Sequence, residues 1–188
     1  MSTEFVPFPK IARLNRVVIV TEKIDGTNAS VHIGEDGSIR AASRNRWITP
    51  EDDNNGFAKW VRDNADELRG LGPGAHFGEW WGAGVQRRYG LDQKRFSLFN
   101  VTRWEVPNPE MTVHGCHVVP VLFQGMFDSA RIAERLEWLK ANGSVAAPGF
   151  MRPEGIVVFH SAQGHLFKVT CEKDFEHKGK SQCPAVPA

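Results

Sequence analysis

The feature that most constrains this chain is a β-branched run that stops at a tight turn. Val17-Val18-Ile19-Val20 has the pattern of a buried strand. Thr21-Glu22-Lys23-Ile24-Asp25-Gly26-Thr27-Asn28 follows, and Asp25-Gly26 is a turn dipeptide. Lys23 is therefore expected where a strand breaks, held by a rigid element and pointing out of a turn. A lysine so placed is either a solvated loop charge or a nucleophile. K-x-D-G is too short to decide between them, so the decision falls to the remaining sequence.

Beyond the turn, Ala29 to Ile33 alternates apolar and polar, Gly34-Glu35-Asp36-Gly37 turns, and Ile39 to Ser43 returns as a hairpin. Arg44 and Arg46 leave its end. Phe57, Trp60, Val61, Ala65 and Leu68 then fall at helical spacing, with Asn54 or Asn55 as cap and Gly70 after the last turn. His76 to Gly82 is a strand-like run enclosing one acid, Glu79. A carboxylate there must be paired, hydrogen-bonded or bound to a cation, unless the strand is an edge and the acid faces water. Val85 to Tyr89 reads as a basic, aromatic loop. Phe96 to Val101 and Val118 to Phe123 read as strands, and Ser129 caps a helix carrying Ile132, Leu136 and Leu139. Glu154-Gly155 opens the strand Ile156–Phe159, and Lys168 lies in its hairpin partner, His165 to Thr170.

Composition narrows the chemistry. The 23 basic and 22 acidic residues among 188 give no global nucleic-acid signal, so any phosphate contact must come from a local patch. Three cysteines without C-x-x-C spacing argue against a disulfide framework and a zinc site, and for a reducing cytoplasm. No apolar run approaches the ~18 residues of a membrane span, and no signal peptide is expected. P-loop, dinucleotide-fold and kinase signatures are absent. What remains is two lysines, two arginines and two acids at strand ends or in apolar strands. Lysine and arginine there suggest phosphate, and the acids suggest a divalent cation carried with it.

These motifs carry a family resemblance. Glu22-Lys23-Ile24-Asp25-Gly26-Thr27-Asn28 resembles motif I of the covalent nucleotidyltransferases, the ATP-dependent RNA and DNA ligases and mRNA capping enzymes, in its RNA ligase form. Ser43-Arg44 resembles the next motif, Phe77-Gly78-Glu79 motif III, and Phe96 to Val101 motif IIIa. Glu154-Gly155-Ile156-Val157-Val158 resembles motif IV, and Phe167-Lys168-Val169 motif V. Six motifs in order, over roughly residues 10–175, make the match.

The resemblance implies an α+β fold, an antiparallel-rich nucleotidyltransferase (ATP-grasp-like ligase adenylation) domain with flanking helices. It implies an ATP-dependent RNA ligase that works through a covalent lysyl-AMP intermediate with Mg²⁺ or Mn²⁺. Lys23 would attack the α-phosphate, Glu22 and Ile24 would border the adenine, and Phe99 would stack on it. Asp25 would orient the lysine and Asn28 would help set the turn. Arg44 would bind ribose or a strand phosphate, Glu79 the ribose hydroxyls, Glu154 the metal and Lys168 the α-phosphate. Partners would be nicked or single-stranded RNA ends, with DNA as the alternative and no membrane. The expected protein is a cytoplasmic monomer, with a partner protein supplying any missing strand grip.

Two departures stand out. Lys168-Val169-Thr170 lacks the second lysine of K-x-K, and Asn100 follows Phe99 where an acid is common. A domain over 1–175 and a flexible tail over 176–188, with no appended OB or helical domain, are expected. Two alternatives are a small DNA ligase and a nucleotide-binding module that adenylylates without sealing.

Overall fold

The computed structural model describes residues 4–104 and 115–172; the tail expected over 176–188 lies outside them. The strands are β1 (Val17–Lys23), β2 (Thr27–Ile33), β3 (Ile39–Ser43), β4 (Trp47–Ile48), β5 (Gly74–Gly82), β6 (Lys94–Leu98), β7 (Cys116–Val118), β8 (Val121–Met126), β9 (Gly155–His160) and β10 (His165–Thr170). Helices α1 (Phe57–Asp63), α2 (Ala65–Leu68) and α3 (Ser129–Asn142) complete an α+β, antiparallel-rich fold.

The strands form two sheets, ordered β10-β9-β1-β8 and β4-β3-β2-β5-β6-β7; every pairing is antiparallel except β6 with β7. Alternation along β1 sends Val18 and Val20 onto Leu136 and Leu139 of α3, beside Ile156 and Val158 of β9. Lys23 alternates to the opposite face. In the larger sheet, Ala29, Val31, Trp80, Phe96 and Leu98 pack against Phe57, Ala58 and Val61 of α1. A third cluster of Ile24, Trp81, Tyr89, Val119 and Ala147 brings together residues from segments associated with both sheets. The β1–β2 connection, Ile24-Asp25-Gly26, is thus the crossing from one sheet to the other.

Several expectations shift in physically instructive ways. β1 runs on through Lys23, because Thr21, Glu22 and Lys23 pair with Val157, Ile156 and Gly155 of β9. β5 lies between β2 and β6, so Glu79 is interior to a sheet rather than on a wet edge. The first helix is broken at Asn64, which donates both its backbone N–H and its side-chain amide to Trp60 O. Its N-cap residue is Gly56, not Asn54 or Asn55, and the first-turn N–H groups of Ala58 (2.8 Å) and Lys59 (3.0 Å) donate instead to the Asp53 carboxylate. Asp128 rather than Ser129 caps α3, accepting from Ala130 N and Arg131 N. The strand expected over 118–123 is two strands in different sheets, split at Val119-Pro120, where proline has no N–H to give either ladder. The strand expected over 96–101 ends at Leu98, leaving Phe99 half exposed.

The crossing depends on Gly26. A Cβ there would overlap the carbonyl oxygen of Trp80 and sit 2.8 Å from Trp81 Cβ. Gly26→Ala should therefore destabilise the protein by about 1–3 kcal/mol, as overpacking against backbone does. Urea denaturation checks this, and an unchanged midpoint would contradict the close approach.

Candidate active site

Lys23 lies at the end of β1, with its Nζ 2.7 Å from Glu154 Oε2. The strand register explains the pair: Lys23 sits opposite Gly155, so the acid just before β9 meets the lysine. Both side chains are mostly sheltered, at 24% and 18% exposure. No protein donor reaches the other Glu154 oxygen among the described residues.

The residues flanking Lys23 in sequence anchor it. Glu22 alternates to the far face of the sheet, where it is 1% exposed. It accepts from Ser144 Oγ (2.5 Å) and from the N–H groups of Val145 (2.8 Å) and Ala146 (2.9 Å). Burial nevertheless outweighs these bonds and raises its pKa. Ile24 is buried among Trp81, Tyr89, Val119 and Ala147. Both side chains are packed away from the Lys23 face, so any contact they offer an adenine comes from backbone.

Asp25 is gripped by a loop that sequence reading left as merely basic and aromatic. Arg87 Nε donates to Asp25 Oδ2 at 3.0 Å, and Asp25 N–H donates to Tyr89 Oη at 2.8 Å. Arg87 also donates to Arg152 O at 3.0 Å, two residues before Glu154. Gln86, Arg88 and Tyr89 all hold left-handed backbone, with φ of 44°, 60° and 52°. Arg87 of that basic loop is thus drawn inward. The signal that could have found the grip is Tyr89, the chain's one tyrosine, in an arginine- and glycine-flanked loop.

Glu79 holds the far side of the crossing. Its Oε1 accepts from Gly26 N (3.0 Å) and its Oε2 from Asn28 Nδ2 (2.9 Å), its direct partner across β2–β5. It is 7% exposed, and burial raises its pKa to about 7, against lowering by Lys23 and by the two hydrogen bonds; Glu154 adds to the rise. Lys23, Glu154 and Glu79 therefore sense one another as a cluster. Each carboxylate oxygen of Glu79 keeps acceptor capacity, since a carboxylate has about four lone-pair positions.

The remaining expected residues surround this cluster without bonding to it. Lys168 pairs with Val157, which pairs with Thr21, so Lys168 shares the Lys23 face of its sheet. Thr170, standing where a second lysine was expected, lies two residues along that face, opposite Gly155. Arg44 follows β3 at the rung of Asn28 and Glu79, exposed and without an ion pair among the described residues. Phe99 is 41% exposed, and its N–H donates to Phe77 O at 2.9 Å.

No group of three or more His, Cys, Asp or Glu side chains converges on a metal position among the described residues. The donor set, one half-engaged carboxylate on Glu154 with Asp25 nearby in sequence to Lys23, suits a hard cation that completes its shell with phosphate oxygens and water. Two hollows lie elsewhere. One of about 330 Å³ is lined by Lys10 to Arg13, Arg16, Ala162 and Gln163, and one of about 450 Å³ lies beside α1. Neither is lined by Lys23, Glu79 or Glu154.

The RNA ligase family model matches residues 16–170. This chain belongs to the RNA ligase family. Solved structures agree on the fold. Naegleria gruberi RNA ligase, as a mutant with ATP and manganese, superposes with a TM-score of 0.63 at 20% identity, over 85% of this chain and 51% of that one. A second mutant of it with ATP and manganese gives 0.62 at 20% identity over 83% and 49%, and a third with AMP and manganese 0.59 at 19% over 84% and 50%. The chain spans about half the length of the RNA ligase structures it matches. No curated protein sequence matches it. No helix among the described residues is long and apolar enough to cross a membrane.

Two predictions follow from the clamp on this RNA ligase family site. Glu79 has a native pKa of about 7 against an ordinary 4.5. The unfolded chain therefore releases this proton before the native one, and stability falls as pH rises from about 4.5 to about 7, then levels. Glu79→Gln should remove that slope; unfolding curves that stay parallel to wild type across the window would contradict it. Tyr89→Phe leaves the Asp25 N–H without its acceptor in a buried setting and should cost about 1–2 kcal/mol by urea denaturation.

Proposed function

We propose that this chain is the nucleotidyl-transferring unit of an ATP-dependent RNA ligase that works through lysyl-AMP. The observation that carries the reading is the Lys23–Glu154 contact at 2.7 Å, placed at a sheet crossing held by Glu22, Asp25 and Glu79. A nucleophilic lysine needs fixed aim more than enclosure, because in-line attack tolerates little displacement.

In the first step, Lys23 Nζ attacks the α-phosphorus of ATP. A P–N bond forms, the bond to pyrophosphate breaks, and the amine loses its proton. Glu154 Oε2 is the nearest acceptor for that proton. Lys168, on the same sheet face, bears on the α-phosphate. Phe99 stacks on the adenine, the backbone of Glu22 and Ile24 borders it, and the spare acceptor positions of Glu79 take ribose hydroxyls. Glu154, through the oxygen turned from Lys23, would hold Mg²⁺ or Mn²⁺, which would neutralise charge on the phosphates. The AMP then passes to a 5′-phosphate end, and a 3′-hydroxyl displaces it to join two RNA strands. Arg44, exposed at the Glu79 rung, contacts strand phosphate or ribose. The solved relatives support the nucleotide and the cation: they hold ATP or AMP with manganese. Cys116 and Cys171 are free thiols, which suits a reducing compartment such as the cytoplasm.

Incubation with ATP labelled at the α-phosphate should give acid-labile label on the protein, absent from Lys23→Ala. Glu154→Ala should also abolish labelling with its thermal midpoint nearly unchanged; label that persists in Lys23→Ala assigns the nucleophile elsewhere. Sealing should then be compared on nicks that differ only in ribose or deoxyribose at the 3′ end. Equal joining of the all-deoxyribose nick would favour a DNA ligase, and label without joining would favour an adenylylating module.

A further inference from the structure

Beyond the nucleotide site, the face of the larger sheet that carries Glu79 and Asn28 continues outward as an aromatic surface. One rung from the Asn28–Glu79 pair, cross-strand register aligns Trp47, Ala42, Ser30 and Phe77 in a row across β4, β3, β2 and β5. The next rung pairs Arg40 with His32. Trp47 and Phe77 are 47% and 58% exposed, an unusual fate for two large rings on one sheet face. His32 lies between them, its ring centroid 4.6 Å from Trp47 and 6.0 Å from Phe77, edge to face with both. The Arg40 guanidinium carbon sits 3.8 Å from the Trp47 ring centroid. The two middle positions, Ala42 and Ser30, are small and leave the floor low between the rings.

The charges on this face are one-sided. Arg40 and Arg44 have no acidic partner among the described residues, whereas Arg46 beside them is neutralised by Asp52. Burial, then Arg40, lowers the pKa of His32, so this ring joins the surface uncharged at neutral pH. Flat π-faces with a stacked guanidinium and unpaired cations at the ends complement bases and phosphates of an unpaired polynucleotide segment. An apolar protein partner would leave both cations buried without partners.

We propose that Trp47, His32, Phe77 and Arg40 form a stacking platform for unpaired bases of the RNA strand whose end is brought to Lys23, with Arg44 carrying its phosphate toward the reaction site. Register supports the path: Arg40 to Arg44 is four residues along β3, roughly 13 Å at about 3.3 Å per residue, ending at the Glu79 rung. The inference rests on the RNA ligase reading for its substrate class and adds a base-binding subsite to it. Stacking of this kind is tolerant of sequence, because every base has a π-face.

The test separates the platform from the nucleotide site. Binding of a short fluorescein-labelled single-stranded oligoribonucleotide to the full chain is followed by anisotropy, and protein labelling from α-phosphate-labelled ATP is followed without RNA. Trp47→Ala should weaken RNA binding at least about fivefold, the low end of one aromatic–base stack. Its ATP labelling should match wild type, and Trp47→Phe should restore most of the binding. Arg40→Ala should weaken binding and reduce the salt slope by about one. The same oligomer carrying abasic positions should bind wild type as weakly as the intact oligomer binds Trp47→Ala. Unchanged RNA affinity in Trp47→Ala and Arg40→Ala would overturn the platform, as would no penalty for abasic positions. Loss of ATP labelling in step with RNA binding would overturn it too, assigning the patch to the nucleotide site or to the fold. If wild type never takes up label yet the RNA results hold, the ligase reading fails and the platform stands.

Discussion

The structure turns on how a single lysine is fixed at the joint between two sheets. Three carboxylates on neighbouring or facing positions do this work in different directions. Glu22 pins the end of β1 from the far face through Ser144, Val145 and Ala146. Glu79 pins the start of β2 through Gly26 and Asn28. Asp25, between them, is held by Arg87 and presents its own N–H to Tyr89. Lys23 is therefore immobilised by its backbone, while its side chain makes one polar contact among the described residues, with Glu154. The base of the side chain is thereby fixed while its tip can exchange one partner for another.

The arrangement also sets the electrostatics. A buried carboxylate is costly unless its oxygens are hydrogen-bonded, and two of these acids still have raised pKa values with burial as the leading cause. Glu79 is the more instructive, because Lys23 and Glu154 push its pKa in opposite directions. Any loss of the positive charge at Lys23 would remove that attraction and raise the Glu79 pKa further. The acid that holds the crossing is thereby coupled to the charge of Lys23, with no moving part needed to link them.

Much of this was legible in the sequence, and the boundary between what was and was not has a physical cause. The β2–β3 and β9–β10 hairpins followed from period-two alternation and turn chemistry, which are local properties. So did the apolar face of α3. The errors arose where local preference was nearly degenerate and tertiary contact chose. Asp53 took the first-turn N–H groups that Asn54 or Asn55 could have capped, Asn64 broke a helix whose apolar spacing continued through it, and Pro120 divided one apolar run between two sheets. At the site, the motif residues were read by resemblance. Arg87, Tyr89 and Ser144 were not, because their roles exist only through partners 62, 64 and 122 residues away in sequence.

The pairing of acid with glycine in the motifs has a structural reason that reaches beyond turn propensity. Asp25-Gly26, Gly78-Glu79 and Glu154-Gly155 each set a small residue beside a polar one. A Cβ on Gly155 would overlap the Val169 carbonyl oxygen and lie 2.7 Å from Thr170 Cα, both in β10. One on Gly78 would run into the Phe96 ring and the Ser97 backbone of β6. In each case the glycine lets a neighbouring backbone approach where a side chain would hold it off. The acid beside it makes its bonds on the opposite flank: Glu154 with Lys23 of β1, and Glu79 with Gly26 and Asn28. Close backbone approach and carboxylate placement are thus one constraint. A substitution at such a glycine would push its strand off the neighbour on one flank and so shift the acid whose bonds lie on the other.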